Sequence, residues 1–305
     1  MSRRIVIGPF NRVEGDLEVS LDIADGVVRS AQVNSPLYRG FEQILQGKAP
    51  EDAMVFVPRI CGICSVAQSA AAAQALGAAM GLTPPANGRL SADLTLGAEN
   101  LADHLTHFYL FFMPDFARAA YRDRPWFAAA EGRFKAQVGS AADPVLSARS
   151  DLMRTLGLLA GKWPHTLSLQ PGGSSCPLQA SEKIRLYRQL REFRAFCEST
   201  LFGDSLEAIA AIDSEAALDA WRDAHRDGDF ARFLAIADDL QLHTLGRATD
   251  VFLSYGAYGG NSGNGSDHLF AQGVWDGGLS ALDPGQISED LSHAWYAEAE
   301  APQAP

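Results

Sequence analysis

The segment Arg59-Ile60-Cys61-Gly62-Ile63-Cys64 carries two thiols separated by two residues. At that spacing both sulfurs can reach one metal ion from a single turn of chain. Gly62 lets the backbone fold tightly between them. Cys64 immediately precedes an Ala-rich run with helical spacing, and a helix N-terminus there favours the thiolate. Thiolates bind soft metals well. The same spacing also arises in half a zinc ribbon, in a thioredoxin-like redox pair and by coincidence. Cys176 and Cys197 lie too far apart in sequence to supply a ribbon's second pair. A thioredoxin-like pair opens a helix in a βαβ unit, whereas the residues before this one, 51–57, read as helix.

The elements that would hold this pair are mostly helical. Residues 14–33 alternate, with Leu17, Val19, Leu21 and Ile23 on one face and Asp25-Gly26 at the turn, which predicts a β-hairpin. Beyond Pro36, Ala- and Leu-rich stretches with helical spacing predict helices over 51–57, 65–80, 91–112, 143–159, 181–201, 214–224 and 229–240, with Ser91 and Ser181 as N-caps. The 91–112 stretch is apolar nearly all round, the pattern of a central bundle helix. Pro84-Pro85, Pro114, Pro164 and Pro171-Gly172-Gly173 punctuate the run. Residues 254–266 are rich in Gly, Asn and Ser, lack the Lys-Ser/Thr ending of a phosphate-cradling loop, and read as a connecting loop. The expected organisation is one domain over 1–305, with a β-hairpin region at 1–35, a helical body at 36–288 and a frayed or truncated tail at 289–305.

A formal net charge of −12 disfavours nucleic acid and anionic membrane surfaces as partners, because both would repel the chain. The apolar residues Ile5 to Ile7 break at Gly8-Pro9, far short of a signal-peptide core. The longest apolar stretch, 94–112, is interrupted by Glu99, Asp103, His104 and His107, so no membrane span is expected. These features place the protein in the cytoplasm, where four cysteines without a secretory signal do not suggest a disulfide framework.

Three motifs, Asn11-Arg12-Val13-Glu14-Gly15, Tyr38-Arg39-Gly40-Phe41-Glu42 and the cysteine segment, occur in the order and spacing of nickel-iron hydrogenase large subunits, which the chain resembles. The resemblance continues through Asp103-His104, His107-Phe108-Tyr109, Lys162-Trp163-Pro164-His165 and Pro171-Gly172-Gly173, spanning nearly the whole chain. It implies a mainly α fold built on a central long-helix bundle, with a small N-terminal antiparallel β element and without the fold's C-terminal part. It implies nickel held by four thiolates, two of them bridging to an iron that carries carbonyl and cyanide. By motif position Cys61 resembles a terminal nickel ligand and Cys64 a bridging one. Glu14 resembles the carboxylate that accepts the proton when hydrogen splits heterolytically, a role suited to a buried acid; a salt bridge to Arg12 is the alternative. Glu42 resembles a magnesium ligand, with a buried pairing to Arg39 as the alternative. Asp103 resembles a carboxylate beside the metals, and His107 and His165 are expected to satisfy core hydrogen bonds. The implied partners are a small subunit carrying iron-sulfur clusters, and maturation proteins.

Certain departures resemble the hydrogen-sensing branch of that family, which signals to a histidine kinase. Gln68 and Asp16 stand where many respiratory members carry histidine, and Ile63 and Phe111 occupy positions on the gas path where bulk restricts oxygen more than hydrogen. The family's second Cys-x-x-Cys, with the histidine that completes the magnesium site, has no counterpart here, so the chain alone is expected to be inactive. An uptake hydrogenase subunit, a non-catalytic scaffold of the same fold and a zinc-binding interaction module are the competing readings.

Overall fold

The computed structural model describes residues 2–10, 13, 15–35, 37, 39–246, 249–259 and 268–288. They form two compact units, one holding the described residues up to Asp52 together with 286–288, the other running from Ala53 to Gly285.

The first unit is an antiparallel meander of β1 (Ser2–Ile7), β2 (Glu18–Ala24) and β3 (Val27–Asn34), followed by the short helix α1 (Phe41–Leu45). The expected hairpin is β2 and β3, and Asp25 and Gly26 adopt φ of 54° and 77°, the left-handed pair that a two-residue turn of this twist requires. Residues 2–7, unassigned from sequence, form the outer strand β1, with Ile5 opposite Leu21 and Ile7 opposite Val19. Three apolar residues are too few to reveal a strand; the long-range pairing with β2 supplies it.

In the second unit the helix expected at 51–57 is broken. A 3₁₀ turn at Pro50–Asp52 belongs to the first unit, the short helix α2 spans Ala53–Phe56, and another 3₁₀ turn covers Val57–Arg59. Pro58 disfavours helical geometry at Val57 and cannot donate to the helix ladder. After the cysteine turn come α3 (Ser65–Ala79) and α4 (Ala86–Thr106), the latter running into a π-helical turn at His107–Phe112. Helix α4 starts directly after Pro85, ahead of Ser91, so Ser91 is interior rather than a cap. Asn87-Gly88 does not break the helix. Gly88 instead lets another backbone approach: a Cβ there would sit 3.0 Å from the Gly172 carbonyl oxygen, and one on Gly173 would sit 2.7 Å from the Gly88 Cα. Gly172 and Gly173 belong to a two-stranded hairpin of β4 (Leu169–Gln170) and β5 (Gly173–Ser174).

Helices α5 (Phe127–Phe134) and α6 (Ala142–Ala160) follow α4 in sequence, and α7 (Ala180–Phe196) follows the small hairpin. Helix α7 is capped by a reciprocal box of Gln179 and Glu182, not by Ser181, and it ends in a second π-helical turn at Cys197–Phe202. Helices α8 (Leu206–Ala210), α9 (Glu215–Ala224) and α10 (Asp229–Leu240) complete the helical part. Of these, α5 and α8 were not legible in the sequence, whereas α10 has its expected bounds. The residues expected as a loop at 254–266 are partly strand: β6 (Phe252–Gly259) pairs with β7 (His268–Trp275), and β7 with β8 (Leu279–Ser280). The helical body expected over 36–288 therefore contains a second antiparallel sheet. Its alternation was masked by Gly and Ser, and the cross-strand pairs Phe252 with Trp275 and Ala257 with Phe270 provide what local pattern lacks. Residues 260–267 and the expected tail, 289–305, lie outside the described residues. Among the described residues no helix is long and apolar enough to cross a membrane.

The core is built by α4, α5, α6 and α7 around Leu105, Tyr109, Met113, Phe134, Val145 and Leu152. A buried ion pair adjoins it. Asp229, 1% exposed, accepts two hydrogen bonds from Arg133, at 2.8 and 2.7 Å, and one from the Tyr109 hydroxyl at 2.7 Å. Burial and the neighbouring carboxylate raise the Tyr109 hydroxyl far above its ordinary value, so it stays a donor. Asp229→Ala strands the Arg133 cation and is expected to cost about 3 kcal/mol in urea unfolding. Tyr109→Phe removes one bond and should cost about 1 kcal/mol in the same measurement.

Candidate metal centre

The cysteine turn sits between Pro58 and the first residue of α3, and the structure holds both of its ends. At the leading end, the His165 ring nitrogen Nδ1 lies 2.8 Å from the Pro58 carbonyl oxygen; a carbonyl only accepts, so Nδ1 carries the proton. At the trailing end, the His165 backbone N–H donates to the Ser65 hydroxyl at 3.2 Å. His165 thus reaches both sides of the turn from a single residue held at φ 61° after Pro164. The expectation of a structural role for this histidine is met by that geometry.

Within the turn the two cysteines are joined by a hydrogen bond. The Cys64 backbone N–H donates to the Cys61 sulfur at 3.4 Å, and the Gln68 side-chain amide, one helical turn onward, donates to the Cys64 sulfur at 3.6 Å. Both cysteines are half-buried. Burial and the contact with Cys61 push the Cys64 thiol up, and the Gln68 amide pulls only partly the other way. The expected lowering by the start of α3 is therefore not what prevails. Desolvation and Cys61 outweigh it, and a buried carboxylate that already occupies the positive end of that helix adds a smaller push in the same direction.

That carboxylate is Glu99 of α4, 3% exposed. Its Oε1 accepts from the Val66 backbone N–H at 2.9 Å, the Trp163 indole N–H at 2.8 Å and the Ser65 hydroxyl at 3.3 Å, while Oε2 accepts from the Ala67 backbone N–H at 2.9 Å. In the sequence Glu99 is legible only as a charge interrupting an apolar stretch. The signal was present nonetheless, since a lone acid on a central bundle helix must find buried donors.

A cavity of about 100 Å³ opens beside this carboxylate, lined by Ile63, Asp103, Phe111, Arg149 and Trp163 among others. The structure therefore brings together Asp103 and the two bulky residues singled out from sequence, Ile63 and Phe111. Asp103 is exposed on α4. Arg149 donates to the Thr106 hydroxyl at 2.7 Å and lies 5.8 Å from the Trp163 ring, closing one wall.

Other candidates fall elsewhere. Glu42 is exposed in the first turn of α1, in the other compact unit, so the alternative of a buried carboxylate paired with Arg39 does not hold as to burial. The Arg39 guanidinium lies over the Phe41 ring at 4.6 Å. Glu14 lies outside the described residues. All four cysteines are free, and Cys197 is buried in the helical core, its thiol pushed up to about 11 by that burial and by Glu198. Among the described residues no group of three or more His, Cys, Asp or Glu side chains could hold a metal ion. What Cys61 and Cys64 offer is two soft sulfur donors on one turn, which fits two positions of a four-coordinate soft-metal shell.

A family model described as nickel-dependent hydrogenase matches residues 39–121, which include Glu42, both turn cysteines and Asp103. The chain is 39% identical to the periplasmic NiFeSe hydrogenase large subunit of Desulfomicrobium baculatum over 38% of its own length and 22% of that protein. It is 26% identical to the hydrogenase-2 large chain of Escherichia coli K12 over its whole length and 61% of that protein, so it spans about three-fifths of that relative. A reduced Ni-Fe-Se hydrogenase from D. vulgaris Hildenborough superposes with a TM-score of 0.69 at 25% identity, covering 97% of this chain and 57% of the other.

His165→Ala releases the Pro58 carbonyl and is expected to lower stability by about 1 kcal/mol, read by urea unfolding. Amide hydrogen exchange in 59–64 should accelerate in that variant while exchange in α10 stays as in the parent protein.

Proposed function

We propose that this chain belongs with the nickel-dependent hydrogenase large subunits it resembles, and that Cys61 and Cys64 hold nickel in a subunit that cleaves hydrogen heterolytically and serves as a hydrogen sensor. The observation that carries this reading is the thiol pair itself, two sulfurs on one turn that is hydrogen-bonded within and clamped at both ends, inside the segment that the family model matches. A turn fixed in this way presents its donors without an ordering cost at binding.

Nickel and an iron carrying carbonyl and cyanide would supply, when bound, the Lewis acidity and redox capacity for parting hydrogen into two protons and two electrons. The chain's own residues hold and move the rest. Cys61 and Cys64 would be the sulfur donors that hold nickel, Cys61 in the terminal role and Cys64 in the bridging one. Glu14 takes the proton, Glu42 offers an oxygen to magnesium, and Asp103 orients groups at the cavity beside the turn. Ile63 and Phe111 narrow that cavity, which supports restricted entry of gases larger than hydrogen. The remaining thiolates and the magnesium-site histidine come from the whole protein. A small subunit with iron-sulfur clusters accepts the electrons, maturation proteins load the metals, and the complex works in the cytoplasm.

The sensing role rests on Gln68 and Asp16, with a histidine kinase as the receiver. Gln68 supports it physically, because its amide meets the Cys64 sulfur directly where an imidazole would present a different charge and proton balance.

Metal analysis of the whole protein co-expressed with its maturation proteins is expected to find nickel and iron in equal amounts, and Cys61→Ser or Cys64→Ser is expected to abolish bound nickel. One zinc per chain in place of nickel would overturn the reading in favour of a zinc module. For sensing, hydrogen is expected to change autophosphorylation of the partner kinase severalfold; rapid hydrogen uptake with phosphorylation indifferent to hydrogen would favour an uptake enzyme.

A further inference from the structure

Cys64 occupies the N-cap position of α3, with φ −106° and ψ 28°, yet its side chain makes no capping hydrogen bond. At that position an oxygen of the capping residue ordinarily accepts from the amides two and three residues on. Those amides are Val66 and Ala67, and both donate to Glu99, which reaches across from α4. The cap is thus supplied by another helix, 33 and 32 residues away in sequence.

This division of labour has a consequence for the sulfur. A thiol that capped its own helix would point along the helix axis toward the amides, with its lone pairs engaged. With the carboxylate already there, the Cys64 sulfur makes no capping bond to the amides ahead of it, and among the described residues Gln68 and Cys61 meet it. The carboxylate is itself immobilised, 3% exposed and bonded on both oxygens, and the Trp163 indole ties it to the loop that carries His165. Neither the helix start nor the side chain can shift without breaking a buried charge-assisted hydrogen bond.

We propose that Glu99 is a positioning residue that caps α3 in place of Cys64 and so fixes the Cys64 sulfur as a metal donor beside Cys61. It rests on the reading of Cys61 and Cys64 as metal ligands only for its functional meaning; the positioning itself can be read in metal-free chain.

The variant Glu99→Gln keeps the side-chain length but turns an amide donor toward a set of donors. Alkylation of Cys64 by iodoacetamide, followed in metal-free chain by peptide mass, is expected to rise about five- to tenfold, the factor that a lost cap corresponds to. Tyr109→Phe, a loss of a buried bond in the helical core, serves as control and should leave that rate unchanged. An unchanged rate in Glu99→Gln, or an equal rise in Tyr109→Phe, would overturn the proposal. Should Glu99→Gln fail to fold, Ser65→Ala removes one donor from the same carboxylate and is expected to raise the rate about twofold; no rise there would overturn it equally. A second readout is the thiolate-to-nickel charge-transfer band formed on adding Ni(II) to the chain. In Glu99→Gln the band is expected to shift and to require at least tenfold more nickel, whereas Tyr109→Phe should show the parent band. Absence of any thiolate band in the parent chain would sink the nickel reading, and the alkylation contrast would then still decide the positioning.

Discussion

Everything near the cysteine turn hangs on one buried anion. The Glu99 carboxylate joins three stretches of chain that are distant in sequence: its own helix α4, the first turn of α3, and the Trp163 loop. A carboxylate at that depth survives only when both oxygens are saturated with donors, so the requirement runs both ways. The donors need the anion to end α3 without unsatisfied amides, and the anion needs the donors to stay charged. Mutual dependence of this kind leaves a single arrangement of the three segments, and the sulfur-bearing turn inherits that rigidity.

A second buried anion, Asp229, makes a useful contrast. It too is held by charge-assisted bonds, from Arg133 and Tyr109, but its partner is a side-chain cation. The Asp229 cluster neutralises itself and glues helices together. Among the described residues the donors to Glu99 are backbone amides, a hydroxyl and an indole rather than a side-chain cation, and its negative field reaches Cys64. That field opposes a second anion at the sulfur, in agreement with the raised Cys64 thiol, and a cation placed between the sulfurs would reverse the balance.

Much of this was legible in the residues, and what was not has a physical reason. Cys61, Gly62 and Cys64 act through local spacing, so the turn was readable from its own six residues. The same holds for α3 and α10, whose periodicity and bounds are local properties, and for Asp25-Gly26, where the turn chemistry is written in two residues. Glu99 was readable only as an oddity, because its partners lie across the fold. The caps at Ser91 and Ser181 failed for a related reason: a serine is a common cap, but Pro85 and the Gln179–Glu182 box begin those helices earlier. Strands β6 and β7 escaped because glycine and serine hide alternation, and strand pairing is a long-range event. Glu42 and the cysteines were grouped by motif order, and that grouping rests on resemblance, since the two positions lie in separate compact units.

The contact of Gly88 with Gly173 leaves no room between two backbones for a single methyl group. A side chain on Gly173 would strike the Gly88 backbone, one on Gly88 would crowd the Gly172 carbonyl, and a compensating change at the other position could not make room, because both are already the smallest residue available. Ranking positions by invariance across lineages would therefore set this pair beside the cysteines, although neither glycine can bind or react. Invariance there would measure the thickness of a gap between α4 and a hairpin.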